Sequence, residues 1–288
     1  MNHLKPSEIL ETTVESGIAK SGSSFKKLFI LGIMAGAYIA FAGAAANMAS
    51  FNLLLSSETF GLGKILSGTI FTGGIIMVTL AGAELFTGNN LMTLAVLEKK
   101  IAVSGLLRNW AIVYIANFAG SVLIAWMVYN TGTLSSGGDM LGAFTVKVAA
   151  GKVSMDFLQC LVSGILCNWL VCLAVWSSTG AGSTVGKIFA LFFPIWLFVT
   201  GGFEHSVANM YFISAGIFAA QNEVFSALSG AAPEALSNLN WQGMITDNLL
   251  PVTIGNIIGG AFFVATAYWL ALKGGKGDVK AAGRHGQL

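Results

Sequence analysis

Apolar positions along this chain neither alternate as in a half-buried strand nor keep to one face of a helix. They run on, in six stretches almost free of charge: 28–55, 65–97, 109–131, 157–177, 188–220 and 248–272. Each is long enough to cross ~30 Å of hydrocarbon, which takes about 20 residues of α-helix. The pattern predicts an all-α membrane protein with six transmembrane helices. The second and fifth stretches differ from the rest. Each runs for 33 residues, roughly 50 Å if straight at ~1.5 Å per residue. Each also carries one acidic residue, Glu84 or Glu204. Both are expected to be broken helices.

The segments around the spans complete the organisation. Residues 1–27 read as a cytoplasmic N-terminal helix, with Ser7 as N-cap and Leu10, Val14 and Ile18 on one face. Glu8, Glu11 and Glu15, with no apolar core segment, set it apart from a cleavable signal peptide. Residues 28–272 form the channel domain, in halves 28–131 and 155–272, and 273–288 form a cytoplasmic tail. An inside N-terminus places 12 of the 15 lysines and arginines on the cytoplasmic side, Lys276, Lys280 and Arg284 of the tail included. Lys64, Lys147 and Lys152 are left outside. By the positive-inside rule both termini are then cytoplasmic. Trp110, Trp126, Trp176, Trp241 and Trp269 lie near span ends, where interface anchors stand.

The two interruptions repeat each other. Gly82 to Asn89 and Gly202 to Asn209 both read G-x-E-x-x-x-x-N. Asn109, Asn117 and Gly120 recur at identical spacing as Asn248, Asn256 and Gly259, whereas spans one and four align only weakly. Three spans per half is an odd number, so the second half inserts inverted relative to the first. Broken helices at matching places of inverted halves point to a mid-membrane site. A break in lipid frees backbone groups, each costing several kcal/mol unless buried in protein or facing a watery cavity. Glycines 82, 88, 201 and 202 permit the turns, and the half-helices beyond them can aim positive N-terminal ends at an anion.

Composition agrees and excludes several classes. A hydrophobic fraction of 55% with 10% charged residues lies outside the soluble range. A net charge of +2 with no basic block rules against nucleic acid. Cys160, Cys167 and Cys172 lack the spacing of a zinc site or disulfide framework and read as small reduced core residues. No cofactor or metal is called for.

Few residues carry chemistry. Of three histidines, His3 and His285 are in the tails and His205 stands at the break of span five. It either bridges freed backbone groups or serves a passing anion, donating a hydrogen bond or a proton. Glu84 and Glu204 read as caps accepting N–H bonds, with proton carriage as the other reading. Lys152 either snorkels to the interface or draws anions into a vestibule. Thr87 and Asn168 offer neutral hydrogen bonds, with helix-to-helix bonding the favoured reading of Asn168, and Asn117 and Asn256 fit the same structural role. The Gly32/Gly36 and Gly255/Gly259 pairs fit close helix packing.

Several strings resemble the formate/nitrite transporter family over essentially the whole chain. They are Pro6-x-Glu8-Ile9, Glu84-Leu85-Phe86-Thr87-Gly88, the run from Gly164 to Cys172 (GILCNWLVC) and that from Gly202 to Met210 (GFEHSVANM). The resemblance implies an aquaporin-like protomer, a homopentamer with one pore per protomer, and a prokaryotic inner-membrane location. It makes His205 the central histidine and Glu204 its acidic neighbour, with Asn168 and Thr87 nearby and Lys152 in the vestibule. Phe71, Ile75 and Phe198 would form the outer constriction, Leu85 and Val171 the inner one. Ile75 departs from the leucine expected in formate-type members. The implied substrates are formate first, then nitrite or hydrosulfide. An alternating-access anion transporter and a water or polyol channel are the alternatives, the latter disfavoured by the absence of any Asn-Pro-Ala box. No activated nucleophile or second histidine supports an enzyme.

Overall fold

The computed structural model describes residues 3–273. Lys276, Lys280, Arg284, His285 and the tail after 273 lie outside the described residues. Among the described residues every regular element is helical, and six helices are long and apolar enough to cross a membrane. In chain order they are α2 (Phe25–Leu54), α3 (Phe60–Ala81), α5 (Val103–Asn130), α7 (Phe157–Gly180), α8 (Thr184–Gly201) and α12 (Trp241–Lys273). Around them lie α1 (Pro6–Ser21), α4 (Thr93–Leu97), α6 (Met140–Val153), α9 (Ser206–Ala219), α10 (Glu223–Ser229) and α11 (Pro233–Asn238).

The second and fifth spans are broken, for the same local reason. Gly82 and Gly202 cap α3 and α8 in the left-handed region, both at φ 76°. Each lets the next amide reach back to the last turn, Ala83 to the Val78 carbonyl at 2.9 Å and Phe203 to that of Phe198 at 3.0 Å. Gly88 and Gly201, expected as turn residues, are helical instead. Beyond the breaks the two halves diverge. Ser206–Ala219 is a regular α-helix, whereas after the first break a 3₁₀ turn (Gly88–Met92) leads into the five-residue α4. Only one half-helix of useful length therefore starts at the centre.

Several elements went unpredicted, α10 and α11 among them. The segment 140–153 between the halves forms α6, and α12 contains two π-helical stretches, Met244–Leu249 and Ile258–Thr266. Pro251 has no N–H for the Asp247 carbonyl, which instead takes the Cys160 thiol at 3.5 Å. The second stretch starts just after the Asn256 carbonyl, captured by the Asn168 side chain at 2.7 Å. A side chain inserted in the ladder is an established cause of such distortion.

Small residues bring the helices together. A Cβ on Gly36 would overlap the Asn117 carbonyl oxygen, and one on Gly120 that of Ile33. In the second half Gly255 and Gly259 meet the Leu161 and Ile165 carbonyls in the same way. Backbones packed this closely tolerate no side chain. The N-terminal helix also differs from expectation. Its N-cap is Lys5, with Pro6 at the first helical position and the Glu8 carboxylate accepting the Lys5 amide at 2.6 Å. Ile9, Leu10 and Val14 are buried, while Ile18 is exposed. Trp110 and Trp176 are not interface anchors. The first donates to the Asn89 carbonyl at 3.0 Å, and the second is buried against Tyr268 with ring centroids 4.5 Å apart. The three thiols are free and buried.

Gly36→Ala should destabilise the purified protein by about 1–3 kcal/mol through overpacking. Gly73→Ala, where nothing lies within 4 Å of the new Cβ, should not. Apparent melting temperatures in detergent make the comparison; equal values for both variants would refute the packing account.

Candidate functional site

Asn117 and Asn256 hold the two breaks in identical ways. Asn117 accepts from the Phe86 amide (2.9 Å) and donates to the Gly32 and Glu84 carbonyls (2.8 and 2.9 Å). Asn256 accepts from the Ser206 amide (2.9 Å) and donates to the Gly164 and Glu204 carbonyls (2.8 and 3.0 Å). The weak alignment of spans one and four is resolved by this equivalence of Gly32 and Gly164. The same register matches Lys20 to Lys152, so the repeat extends outward to include α1 and α6.

The glutamates are not helix caps. Glu84 accepts from Lys20 Nζ (3.0 Å) and Asn89 Nδ2 (2.7 Å), and Asn89 donates on to Asn109 (2.9 Å). Glu204 accepts from Lys152 Nζ (2.7 Å), Asn209 Nδ2 (2.6 Å) and Asn248 Nδ2 (3.3 Å), and Asn209 donates on to Asn248 (2.7 Å). Each half thus carries a Lys–Glu–Asn–Asn cluster in which the carboxylate is neutralised. Lys152 neither snorkels nor stands free; its ammonium lies on Glu204 and 5.6 Å from the Phe212 ring centroid.

The cap of α9 is His205. Its Nδ1 accepts the Ala208 amide at 3.0 Å, and its Nε2 lies 2.9 Å from Thr87 Oγ1. With Nδ1 occupied as an acceptor, the proton of the neutral ring belongs on Nε2, which donates to the threonine. The Thr87 hydroxyl hydrogen is left to point elsewhere. At the repeat-related position stands Leu85, so the symmetry of the scaffold fails at its centre. Asn168, expected beside the histidine, does not bond to it. Its Nδ2 reaches the Thr87 carbonyl (3.3 Å), Asn90 Oδ1 (2.9 Å) and the Asn256 carbonyl. It tethers the first break and thereby places Thr87. Two amides at the start of α9 are taken by Asn256 and His205. The helix end contributes its field more than free donors.

Two cavities approach this centre from opposite ends. One, about 130 Å³, lies on the α6 side and is lined by Phe71, Phe198, Lys152, Glu204 and His205. The other, about 400 Å³, lies on the α1 side and is lined by Ile75, Leu85, Lys20, Glu84 and Asn89. Between them the Phe71 and Phe198 rings meet edge to face at 5.9 Å, and Phe198 stacks on His205 at 5.9 Å. Ile75, expected with the phenylalanines, sits one turn beyond Phe71 and lines the α1-side cavity with Leu85. Val171 is buried and lines neither cavity. Among the described residues no group of three or more metal-ligating side chains occurs. Sequence reasoning missed Lys20, Lys64, Lys187 and Asn90. The signal for Lys20 was present, since it leads Gly32 by the spacing with which Lys152 leads Gly164.

Residues 7–270 match the family described as Formate/nitrite transporter. A probable formate transporter of Methanothermobacter thermautotrophicus is 39% identical over 264 residues, 87% of this chain and 90% of that protein. The formate channel FocA of Escherichia coli (strain K12) is 36% identical over 276 residues, 93% of this chain and 94% of that protein. A solved pentameric formate channel with formate bound superimposes with a TM-score of 0.76 at 35% identity, covering 86% of this chain and 98% of that one.

Lys152→Met should strand the Glu204 carboxylate and cost about 3–5 kcal/mol, as breaking one side of a buried pair does. Lys152→Met with Glu204→Gln should recover at least half of the lost thermal stability. No recovery in the double variant would mean that the pair is not the source of the loss.

Proposed function

The chain belongs to the formate/nitrite transporter family, and we propose that it is a formate channel that also admits nitrite and hydrosulfide. The observation that carries this reading is the shape of the path. Two lysine-bearing cavities approach from opposite sides, one bounded by Phe71, Phe198 and His205 and the other by Ile75 and Leu85, with a septum of these side chains between them, and His205 Nε2 lies 2.9 Å from Thr87 Oγ1. In this reading α1 and both termini face the cytoplasm of a prokaryote, as the lysine and arginine distribution favours. Five copies assemble in a ring, supported by the pentameric structure to which the chain is similar.

Passage divides into collection and crossing. Positive charge in the cavities gathers the anion. At the septum, Phe71 and Phe198 on one side and Ile75 and Leu85 on the other leave no room for a hydration shell, and a bare anion there is costly. The Thr87 hydroxyl, freed to donate because His205 Nε2–H occupies its oxygen, offers the anion one hydrogen bond. Crossing as the neutral acid removes most of the remaining cost. His205 is poorly placed to supply that proton. Taking a second proton at Nδ1 would forfeit the α9 cap, a bond of about 0.5–2 kcal/mol. The proton therefore comes with the substrate from the cavity, and His205 acts as a fixed dipole.

Stopped-flow flux of formate, nitrite and hydrosulfide into liposomes bearing the purified protein tests the reading. Formate flux far above protein-free liposomes, with no glycerol swelling, is expected; the reverse pattern would make the protein a polyol pore. His205→Asn, which keeps an N-capping side chain, should retain flux that rises as pH falls. Loss of that pH dependence alone would restore a proton-donor role to the histidine.

A further inference from the structure

The two mouths hold the same charged set. The α6-side cavity is lined by Lys64, Lys152 and Glu204, and the α1-side cavity by Lys20, Lys187 and Glu84. In each, one lysine is bound to the glutamate, Lys152 at 2.7 Å and Lys20 at 3.0 Å. The other lysine, Lys64 or Lys187, has no carboxylate partner among the described residues. With His205 neutral, each mouth carries a surplus of one positive charge.

Ion pairing does not account for these two lysines, and the one aromatic contact, Lys64 Nζ 5.7 Å from the Phe60 centroid, is to an exposed ring. Lys64 is near the start of α3 and Lys187 near the start of α8, where the axial field of the helix opposes a cation. Neither has an acidic residue three or four positions away on either side, so no helical ion pair compensates. Nor are they a shared inheritance of the repeat. The register that matches Glu84 to Glu204 carries Lys64 onto Thr184 and Lys187 onto Ser67. Each half reaches an unpaired lysine at its cavity from a different position, one helical turn apart. Lys64 is also close to the septum, since a Cβ on Gly202 would stand 3.2 Å from its Nζ. Gly202 precedes Glu204 and His205 by two and three residues.

We propose that Lys64 and Lys187 are the recruiting cations, each forming with its cavity an entry subsite for one monovalent anion. Lys152 and Lys20 are structural partners whose charge is spent on Glu204 and Glu84. This inference rests on the reading of the protein as an anion channel. A surplus of one charge holds a monovalent anion at the mouth and releases it readily.

Proteoliposomes enriched in one orientation by affinity capture allow formate flux to be followed from each side over a concentration series. Lys64→Gln should raise the half-saturating concentration for entry from the α6 side at least fivefold, with the limiting rate within twofold and entry from the α1 side unchanged. Lys187→Gln should give the mirror result, and both Arg variants should behave as wild type. A parallel measurement follows line broadening of ¹³C-formate by the purified protein, which the double Gln variant should abolish. Unchanged half-saturation in both single Gln variants, or undiminished broadening in the double variant, overturns the assignment. Broadening that is lost in the double variant, while wild-type protein carries no flux, would keep the subsites and discard the channel reading. Melting temperatures equal to wild type exclude misfolding as the cause of either loss.

Discussion

A helix can be interrupted inside hydrocarbon only if something else takes over the hydrogen bonds it gives up. In this protein that duty falls on Asn117 and Asn256, each with one acceptor and two donor bonds spanning the break. An asparagine is suited to it because one side chain offers both an acceptor and two donors. The breaks these residues permit shape everything nearer the centre. Left-handed Gly82 and Gly202 turn the chain, the glutamates swing to face their lysines, and Thr87 and His205 are brought within 2.9 Å across the middle.

The scaffold is symmetric and the centre is not. Both halves use lysine, glutamate and asparagine in corresponding places, which keeps every carboxylate near the path compensated. At the repeat-related position beside the Thr87–His205 contact the first half carries Leu85 and the second His205. One side of the septum is therefore apolar and the other carries a dipole held by the helix it caps. A symmetric pair of histidines would place two protonatable rings in a dry septum, and a symmetric pair of leucines would leave the crossing with no partner for Thr87.

Much of this could be read from the chain, and the failures have physical causes. The spans were legible because lipid demands long apolar runs, and the breaks because Glu84 and Glu204 interrupt two of them at repeated spacing. The helix α6 was not, because its 14 residues carry Lys147 and Lys152 and are too short to span. The glutamates were misjudged as caps because the closing of Lys20 on Glu84, 64 residues away, becomes legible only once Gly32 and Gly164 are matched. Asn168 was placed beside His205 by resemblance, but its donors are drawn off by carbonyls exposed at the break and at the π-helical turn of α12. Ile75 was grouped with Phe71 and Phe198 by resemblance, yet one further turn of helix sets it in the lining of the α1-side cavity.

The extended repeat bears on how such a protein is made. Lys20, Glu84, Asn89, Asn109, Asn117 and Gly32 all belong to the first 120 residues, and their counterparts all come after residue 150. Each buried ionic cluster closes within its own half. During synthesis, when N-terminal units fold first, the leading half can pair Glu84 with Lys20 and Asn89 before the trailing half has left the ribosome. What must wait for the second half is the join across the middle, chiefly Thr87 with His205 and Tyr114 with Thr253. A chain arrested midway thus holds no unpaired Glu84 in the bilayer.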